Sequence, residues 1–173
     1  MSYLIVPAGP QDAAELARVH VASWRETYGG LLPDAYLAAM SEEAHARRWA
    51  QALTSGSEMV LAAVGREGLV GYAAGGSSRR RRPAEAEVQT LYLLASVQGQ
   101  GLGRDLLAAT ARVLAAQGAR SLMISVLRDN VLARGFYERL GGTAEAPRRE
   151  PSPGGGVLYE VSYVWDDIGV LTG

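Results

Sequence analysis

The chain has 173 residues, 48% of them hydrophobic, and its 17 basic residues nearly balance 18 acidic ones for a formal net charge of -1. These values predict a single domain over residues 1–173 and argue against a nucleic-acid partner. The sequence has no cysteine and no lysine, which excludes disulfides, thiolate metal sites, cysteinyl intermediates and lysine-based catalysis. Because there is neither an export signal nor an apolar run that could cross a bilayer, we expect a cytoplasmic protein with no membrane partner.

The first third of the chain predicts one short strand followed by helices. Residues 3–6 form an apolar run, and from Pro10 onward apolar residues recur every three or four positions, as in a helix. Pro33 suits the first turn of a second helix, and Ser41 is a candidate N-cap for a third helix that continues to about Leu53.

The middle of the chain predicts a hairpin and a central strand. Two short apolar runs, 58–64 and 69–74, flank a four-residue segment with two glycines, which is typical of a β-hairpin. A loop with four consecutive arginines follows, Arg79 to Arg82, and such a run favours a solvated segment. The stretch EVQTLYLL at 87–94 is rich in β-branched, aromatic and aliphatic residues, so it predicts a strand.

The remaining elements alternate between helix and strand. Apolar spacing predicts a helix over 101–117, a strand over 120–127 and a helix over 130–140. Two closing strands are expected to follow, and a turn precedes the last of them, over 157–165. One face of that last strand is predicted to carry alternate apolar residues: Val157, Tyr159, Val161, Tyr163 and Trp165. This order of elements predicts a mixed sheet with helices packed on it.

The stretch VQGQGLGRDLL at 97–107 places three glycines directly before a predicted helix. Backbone N–H groups and the helix dipole favour an anion there, and Gly99, Gly101 and Gly103 leave space for a diphosphate. An ordinary strand-to-helix turn is the alternative. A dinucleotide fingerprint would need glycine where Arg104 stands, and an NTPase phosphate loop would need a lysine, so both nucleotide motifs fail.

The same stretch matches the pattern Q/R-x-x-G-x-G/A, with Gln98, Gly101 and Gly103 in the fixed places. It resembles the acyl-CoA pyrophosphate loop of the GCN5-related N-acetyltransferases, and the strand, loop and helix occur in that family's order. The resemblance implies acetyl-CoA as cosubstrate. The two histidines, His20 and His45, are 25 residues apart with no cysteine nearby, so no metal is expected.

A second segment supports the same resemblance. The sequence SVLRDNVLARGFYERLGG at 125–142 is similar to the family's N-x-x-A-x-x-F-Y-x-x-x-G-F, except that Gly142 replaces the usual last aromatic residue, which puts the local packing in doubt. Together the two motifs cover about 86–142. They imply an α/β (α+β) fold, with a mixed, mostly antiparallel sheet of about six to seven strands flanked by about four to five helices.

The resemblance also implies which residues hold the donor. Main-chain amides of residues 98–104, called the glycine loop below, would hold the pyrophosphate. The backbone at the end of the preceding strand would pair with the pantetheine arm. At helical spacing, one stripe of the next helix would line the cofactor, while Leu132 and Phe136 fall on a stripe that suits the core. The implied cofactor residues are Leu93, Leu94, Gln98, Gly99, Gln100, Gly101, Leu102, Gly103, Arg104, Asn130, Ala133 and Tyr137.

Two residues are candidates for acid–base chemistry. Tyr137, if it lies at the thioester sulfur as its counterpart in the family does, would be the general acid, and a buried tyrosine with a merely structural hydroxyl is the alternative. Glu87 resembles the glutamate on the same strand of histone-type members and is the candidate base, with a surface glutamate as the alternative. His20 lies on an apolar helix face, where a core histidine is the more common finding.

In the family the first helices form the acceptor site, so the neighbouring Trp24, Arg25, Glu26 and Tyr28 are expected to contact the substrate. The candidate substrate-binding residues among them are Trp24, Arg25 and Tyr28. The resulting hypothesis is transfer of an acetyl group directly to a primary amine, either a small molecule or a peptide N-terminus, whose identity the sequence leaves open. The alternative is a catalytically silent acyl-CoA-binding sensor or interaction module. Packing of two copies through the last strand would give a homodimer.

Overall fold

The computed structural model describes residues 2–79 and 84–173, so Arg80 to Arg82 of the arginine run lie outside the described residues. The strands form one sheet. In chain order they are β1 (Leu4–Pro7), β2 (Met59–Gly65), β3 (Gly68–Ser77), β4 (Ala86–Leu93), β5 (Leu122–Leu127), β6 (Thr143–Ala144), β7 (Arg148–Pro151) and β8 (Val157–Trp165). The α-helices are α1 (Ala13–Tyr28), α2 (Asp34–Ala39), α3 (Glu42–Ser55), α4 (Leu102–Ala116), α5 (Val131–Arg139) and α6 (Gly169–Thr172).

The strands follow the order β1-β2-β3-β4-β5-β8-β6, and β7 pairs with β8. The pairing of β4 with β5 is parallel, whereas the other described strand pairs are antiparallel. The expected α/β (α+β) class with a mixed, mostly antiparallel sheet is therefore confirmed. The strand and helix counts exceed the expected ones because two-residue β6 and four-residue α6 are too short to leave a periodic signal.

Helices cover both faces of the sheet. On one face, α1 and α3 bury apolar residues against the centre of β2 and β3, where the Trp49 and Tyr72 ring centroids lie 5.2 Å apart. On the other face, α4 packs Leu106 and Leu107 against the sheet. No helix among the described residues is both long enough and apolar enough to span a bilayer.

The predicted face of β8 is only partly buried. Val157 and Tyr159 are 46% and 40% exposed, whereas all five residues from Val161 to Trp165 are buried, irrespective of the face on which they lie. The predicted strand over 157–165 is therefore confirmed, and only its second half is buried. The second half is buried on both sides because it pairs with β5 and β6 within the covered sheet.

Gly142 is closely packed, which explains its departure from the family motif. A Cβ atom at Gly142 would lie 2.8 Å from Cζ2 of Trp165 and 3.1 Å from the carbonyl oxygen of Tyr137. The Trp165 indole N–H donates to the carbonyl of Leu140 at 2.9 Å, which holds the ring in this place. An aromatic side chain from β8 thus fills the space over Gly142, so a second aromatic residue at 142 would not fit.

Gly142→Ala is expected to lower the free energy of unfolding by about 1–3 kcal/mol, because the new methyl group would overpack against Trp165. Urea unfolding measures the change. Gly135→Ala in α5 is the matched control, since its Cβ would meet only the flexible end of Arg139, at 3.2 Å. That control is expected to stabilise the protein by about 0.5–1 kcal/mol. Equal stability of the Gly142 variant and the wild type would contradict the packing explanation.

Candidate functional site

The sheet opens between β4 and β5. Only Ala86–Val88 of β4 pair with β5, opposite Leu122–Ile124, although both strands continue for several residues beyond this point. The register of β3 with β4 also shifts, so that Gln89 has no partner on β3. A cavity of about 620 Å³ occupies the gap, and its wall includes residues 26–28 of α1, 89–93 of β4 and 124–126 of β5.

The glycine loop forms one end of this cavity. Gly99 and Gly101 have φ values of 72° and 86°, in the left-handed region that disfavours other residues, and Gly101 is the N-cap of α4. A Cβ atom at either glycine would have no neighbour within 4 Å, so the space beside the loop is open. Within the described part of the chain, the backbone N–H groups of 99–104 have no hydrogen-bond acceptor, whereas Gln98 donates its N–H to Ala95.

Gly103 has a different role from the other two glycines. It lies in the first turn of α4, and a Cβ atom there would approach Leu93 Cδ1 to 3.3 Å and Phe136 Cζ to 3.4 Å. Its lack of a side chain therefore lets α4, α5 and the end of β4 come close together. The amide groups of Gln100 and Leu102 lie in the loop, but their side chains do not line the cavity.

The end of β4 presents main-chain groups to the gap. The N–H of Leu94 donates to the carbonyl of Val70 at 2.9 Å, so the alternation of an antiparallel ladder directs the N–H and C=O of Leu93 away from β3. The Leu93 carbonyl accepts from the Gln98 side chain at 3.0 Å. Leu93 therefore lines the cavity with a main-chain N–H available, whereas Leu94 is committed to β3 and does not line it.

Helix α5 forms a second wall. Asn130 is its N-cap, with the side-chain oxygen accepting from the Ala133 N–H at 3.3 Å, and both residues line the cavity. Tyr137 also lines it and is only 5% exposed. The core position predicted for Leu132 was wrong, since this side chain is 86% exposed in the first turn of α5, at the cavity wall rather than under the sheet.

The Tyr137 hydroxyl makes no hydrogen bond to any described residue, so it is available to a molecule in the cavity. Burial raises the pKa of Tyr137 above its ordinary value, and the nearby Tyr28 raises it further. The hydroxyl therefore stays protonated at neutral pH, where it can donate a proton or a hydrogen bond.

Glu87 does not line the cavity. It lies in the part of β4 that is still paired with β5, opposite Met123, and its carboxylate accepts from the backbone N–H of Arg79 at 3.4 Å. The strands separate only after Val88, so Gln89 is the first residue of β4 that reaches the gap. The structure thus does not bring Glu87 and Tyr137 together at the cavity.

The three candidate substrate-binding residues, Trp24, Arg25 and Tyr28, have different positions. Tyr28 lines the cavity, and its hydroxyl lies 3.2 Å from that of Tyr92. Arg25 instead donates to the carbonyls of Leu37 and Met40, at 3.0 Å and 3.1 Å, and so holds the end of α2. Trp24 stacks edge-to-face on Tyr28, with ring centroids 4.9 Å apart, but does not line the cavity. Of the three, only Tyr28 lines the cavity.

Sequence reasoning missed Tyr92 and Gln89, which carry polar groups into the cavity wall, Gln89 at the irregular point of β4. Tyr92 was visible only as part of an apolar strand, and the break in the ladder at Gln89 leaves no compositional signal. Glu26, which the sequence places close to Trp24, Arg25 and Tyr28, also lines the cavity.

His20 is a core residue. It is 8% exposed, its Nδ1 lies 2.6 Å from the Tyr72 hydroxyl, and its ring centroid is 4.4 Å from that of His45. Burial, with smaller contributions from His45 and Arg48, lowers the pKa of His20 from 6.5 to about 3. The folded protein therefore contains His20 in its neutral form at all pH values near neutrality. Among the described residues, no group of three or more histidine and carboxylate side chains is placed to hold a metal ion.

The neutral state of His20 makes stability depend on pH. Between the unfolded pKa of 6.5 and the folded pKa of about 3, the unfolded chain binds the proton and the folded protein does not. The free energy of unfolding should therefore fall as the pH drops below 6.5, by about 1.4 kcal/mol per pH unit from this residue. Urea unfolding of wild type and His20→Gln between pH 7.5 and 4.5 should show a shallower decline in the variant, and parallel curves would contradict it. His45→Gln, at a half-buried ring, should change the slope less.

Comparisons with known proteins agree with this architecture. A family model described as the Acetyltransferase (GNAT) family matches residues 16–142. The uncharacterized N-acetyltransferase YuaI of Bacillus subtilis strain 168 is 32% identical over 167 residues, which are 93% of this chain and 91% of that protein.

Two solved structures share the fold at low sequence identity. The PaiA N-acetyltransferase of Thermoplasma acidophilum, in complex with coenzyme A, has a TM-score of 0.74 at 20% identity and covers 95% of this chain and 100% of its own. YncA of Salmonella typhimurium, with its cofactor acetyl-CoA, has a TM-score of 0.70 at 18% identity and covers 95% of this chain and 94% of its own. Because the family model spans most of the chain and YuaI matches nearly all of it, this protein belongs to the acetyltransferase (GNAT) family.

Proposed function

We propose that this protein is a single-domain, acetyl-CoA-dependent N-acetyltransferase that transfers the acetyl group directly to a primary amine of a small molecule or a peptide N-terminus. The observation that carries the proposal is the cavity between β4 and β5, because it joins the open amides of 99–104 to the Tyr137 hydroxyl and to the end of α1. Membership of the family supports acetyl transfer. The coenzyme A and acetyl-CoA complexes of the two similar structures support the donor.

The donor end fits a diphosphate with an amide-containing arm. Six consecutive N–H groups, of residues 99–104, lie at the N-terminus of α4, where the helix dipole favours an anion. Arg104 lines the cavity beside them and adds positive charge. The free main-chain N–H of Leu93 would donate a hydrogen bond to an amide carbonyl of the pantetheine arm. The N–H of Leu94 donates to Val70 instead, which argues against the same role for that residue.

The transfer requires a proton for the departing sulfur. Acetyl-CoA supplies the acetyl group as a thioester, so a bond forms between the amine nitrogen and the carbonyl carbon while the carbon–sulfur bond breaks. Tyr137 is the proposed proton donor to the thiolate, since its hydroxyl is protonated, lies in the cavity wall and has no partner among the described residues. Direct transfer is favoured because the chain has no cysteine to form an acyl-enzyme.

The amine must lose a proton before it attacks. An alkylamine with a pKa of about 10.4 is neutral in about one molecule in a thousand at pH 7.4, which corresponds to about 4 kcal/mol. Glu87 lies outside the cavity wall, so from its observed position it could serve as base only through water. Water at the cavity opening, or a carboxylate that lines the cavity, is therefore a better candidate than Glu87 for the base that takes the proton from the amine.

Release of coenzyme A with a panel of primary amines, amino acids and short peptides tests the proposal. A thiol reagent reports only the released coenzyme A, because the protein contains no cysteine. We expect acetyl-CoA binding by calorimetry and amine-dependent thiol release. Binding without release for every acceptor would support the alternative of a silent acyl-CoA-binding module. The cytoplasmic location and the homodimer stay predictions, to be checked by cell fractionation and by light scattering.

A further inference from the structure

The cavity wall carries one negatively charged side chain. The last turn of α1 contributes Glu26, which is the one carboxylate among the described residues that line the cavity. Two arginines also line the cavity, Arg104 in the first turn of α4 and Arg139 in the last turn of α5. Within the described part of the chain, neither arginine forms an ion pair with Glu26.

One carboxylate oxygen of Glu26 is hydrogen-bonded to the protein backbone, and the other is available to a bound molecule. Its Oε2 accepts from the backbone N–H of Ala95 at 2.9 Å, which fixes the carboxylate where β4 ends. In the described part of the chain, Oε1 has no hydrogen bond and the carboxylate has no ion pair. The adjacent Arg25 does not neutralise it, since that guanidinium is bonded to carbonyls of α2.

This arrangement suits a cationic acceptor. A primary amine reaches the protein mostly as an ammonium ion, which a fixed carboxylate attracts and orients by a charge-assisted hydrogen bond. Tyr28 and Tyr92, whose hydroxyls lie 3.2 Å apart, border the same region and add aromatic surface for the carbon skeleton of the amine. A carboxylate next to the amino group, as in an amino acid, would be repelled by Glu26.

We propose that Glu26 binds the ammonium group of the acceptor, and that the acceptors are cationic amines without a carboxylate beside the amino group. This inference rests on the proposed function. The ammonium gives one proton to water through Glu26 before attack, the nitrogen gives up a second as the amide forms, and the thiolate takes one from Tyr137. Once Tyr137 is reprotonated from solvent, one proton is released per turnover.

The test compares two glutamates of the same helix. Glu26→Gln removes the charge but keeps a side-chain oxygen for the Ala95 N–H, and Glu26→Ala removes both. Glu15→Gln is the matched control, because Glu15 also lies on α1 and accepts a backbone N–H, that of Leu69 at 2.8 Å, but does not line the cavity.

The assays use 2-phenylethylamine and L-phenylalanine, which differ by one carboxylate. We expect the wild type to favour the amine at least tenfold in kcat/KM. Glu26→Gln should lower kcat/KM for the amine at least tenfold, mainly through KM, and weaken its decrease with added salt, while acetyl-CoA affinity and thermal midpoint change little. Glu15→Gln should retain the wild-type values.

Several results would overturn the inference. These are full activity of Glu26→Gln, a wild-type preference for phenylalanine over 2-phenylethylamine, or a loss in Glu26→Gln that the thermal midpoint or the control shares. Absence of thiol release by the wild type with every amine would instead overturn the proposed function, so the two failures are distinguishable.

Discussion

Tyr137→Phe is expected to lower kcat by about 100-fold or more, which is the usual contribution of a positioned proton donor. The change removes one oxygen atom from a side chain that is 5% exposed and whose hydroxyl has no partner among the described residues. Packing should therefore survive, and the affinity for acetyl-CoA should stay within about twofold of the wild type, which is less than about 0.5 kcal/mol. Steady-state thiol release and calorimetry measure the two quantities.

Tyr159→Phe is the control for that experiment, because Tyr159 lies on β8, is 40% exposed and does not line the cavity. It should retain the wild-type kcat. An undiminished kcat in Tyr137→Phe would remove Tyr137 from the acid role and leave protonation of the thiolate to water. A fall in acetyl-CoA affinity without a fall in kcat would identify Tyr137 as a binding residue only.

Gly101→Glu is expected to weaken acetyl-CoA binding by at least about 100-fold, or about 2.7 kcal/mol. The glutamate would place a negative charge in the open space beside the amides of 99–104, where the proposed diphosphate binds. The backbone at Gly101 has a φ of 86°, so any side chain there also adds strain of about 1–2 kcal/mol. Calorimetric titration with acetyl-CoA, together with urea unfolding, separates the two effects.

Gly118→Glu is the matched control for strain. Gly118 follows the other end of α4, has a φ of 102° and, like Gly101, would place a Cβ with no neighbour within 4 Å. Both variants should lose comparable stability, but only the change at Gly101 should abolish tight binding. Equal acetyl-CoA affinities in the two variants would mean that the glycine loop is an ordinary turn, the alternative that the sequence left open.

Most of the elements could be predicted because their signals are local. The hairpin of β2 and β3 turns at the two residues between Gly65 and Gly68, and the apolar spacing of α4 begins directly after Gly101. The boundaries agree to within a few residues because turns and caps depend on neighbouring residues. The short elements β6 and α6 were missed because two to four residues show no period.

The candidate site was predictable at one end and not at the other. The glycine loop, Asn130 and Tyr137 are contiguous motifs, and the structure brings them to one cavity. The position of Glu87 on its predicted strand made it the candidate base, but its distance from the cavity depends on where β4 separates from β5. That point is set by the pairing of residues 86–88 with 122–124, which no local pattern reveals.

By itself, the sequence determined the glycine loop: glycines at 99, 101 and 103 stand ahead of a helix, and without a lysine this pattern favours a coenzyme A diphosphate over a nucleotide. Only the tertiary structure decided which distant side chains meet in the cavity wall. Glu26 and Ala95 are 69 residues apart, yet they meet at 2.9 Å and place a carboxylate in the cavity wall, while Arg25 turns away to α2. The reason is physical: a loop's backbone conformation follows from its own residues, whereas the cavity wall depends on how distant helices pack on the sheet.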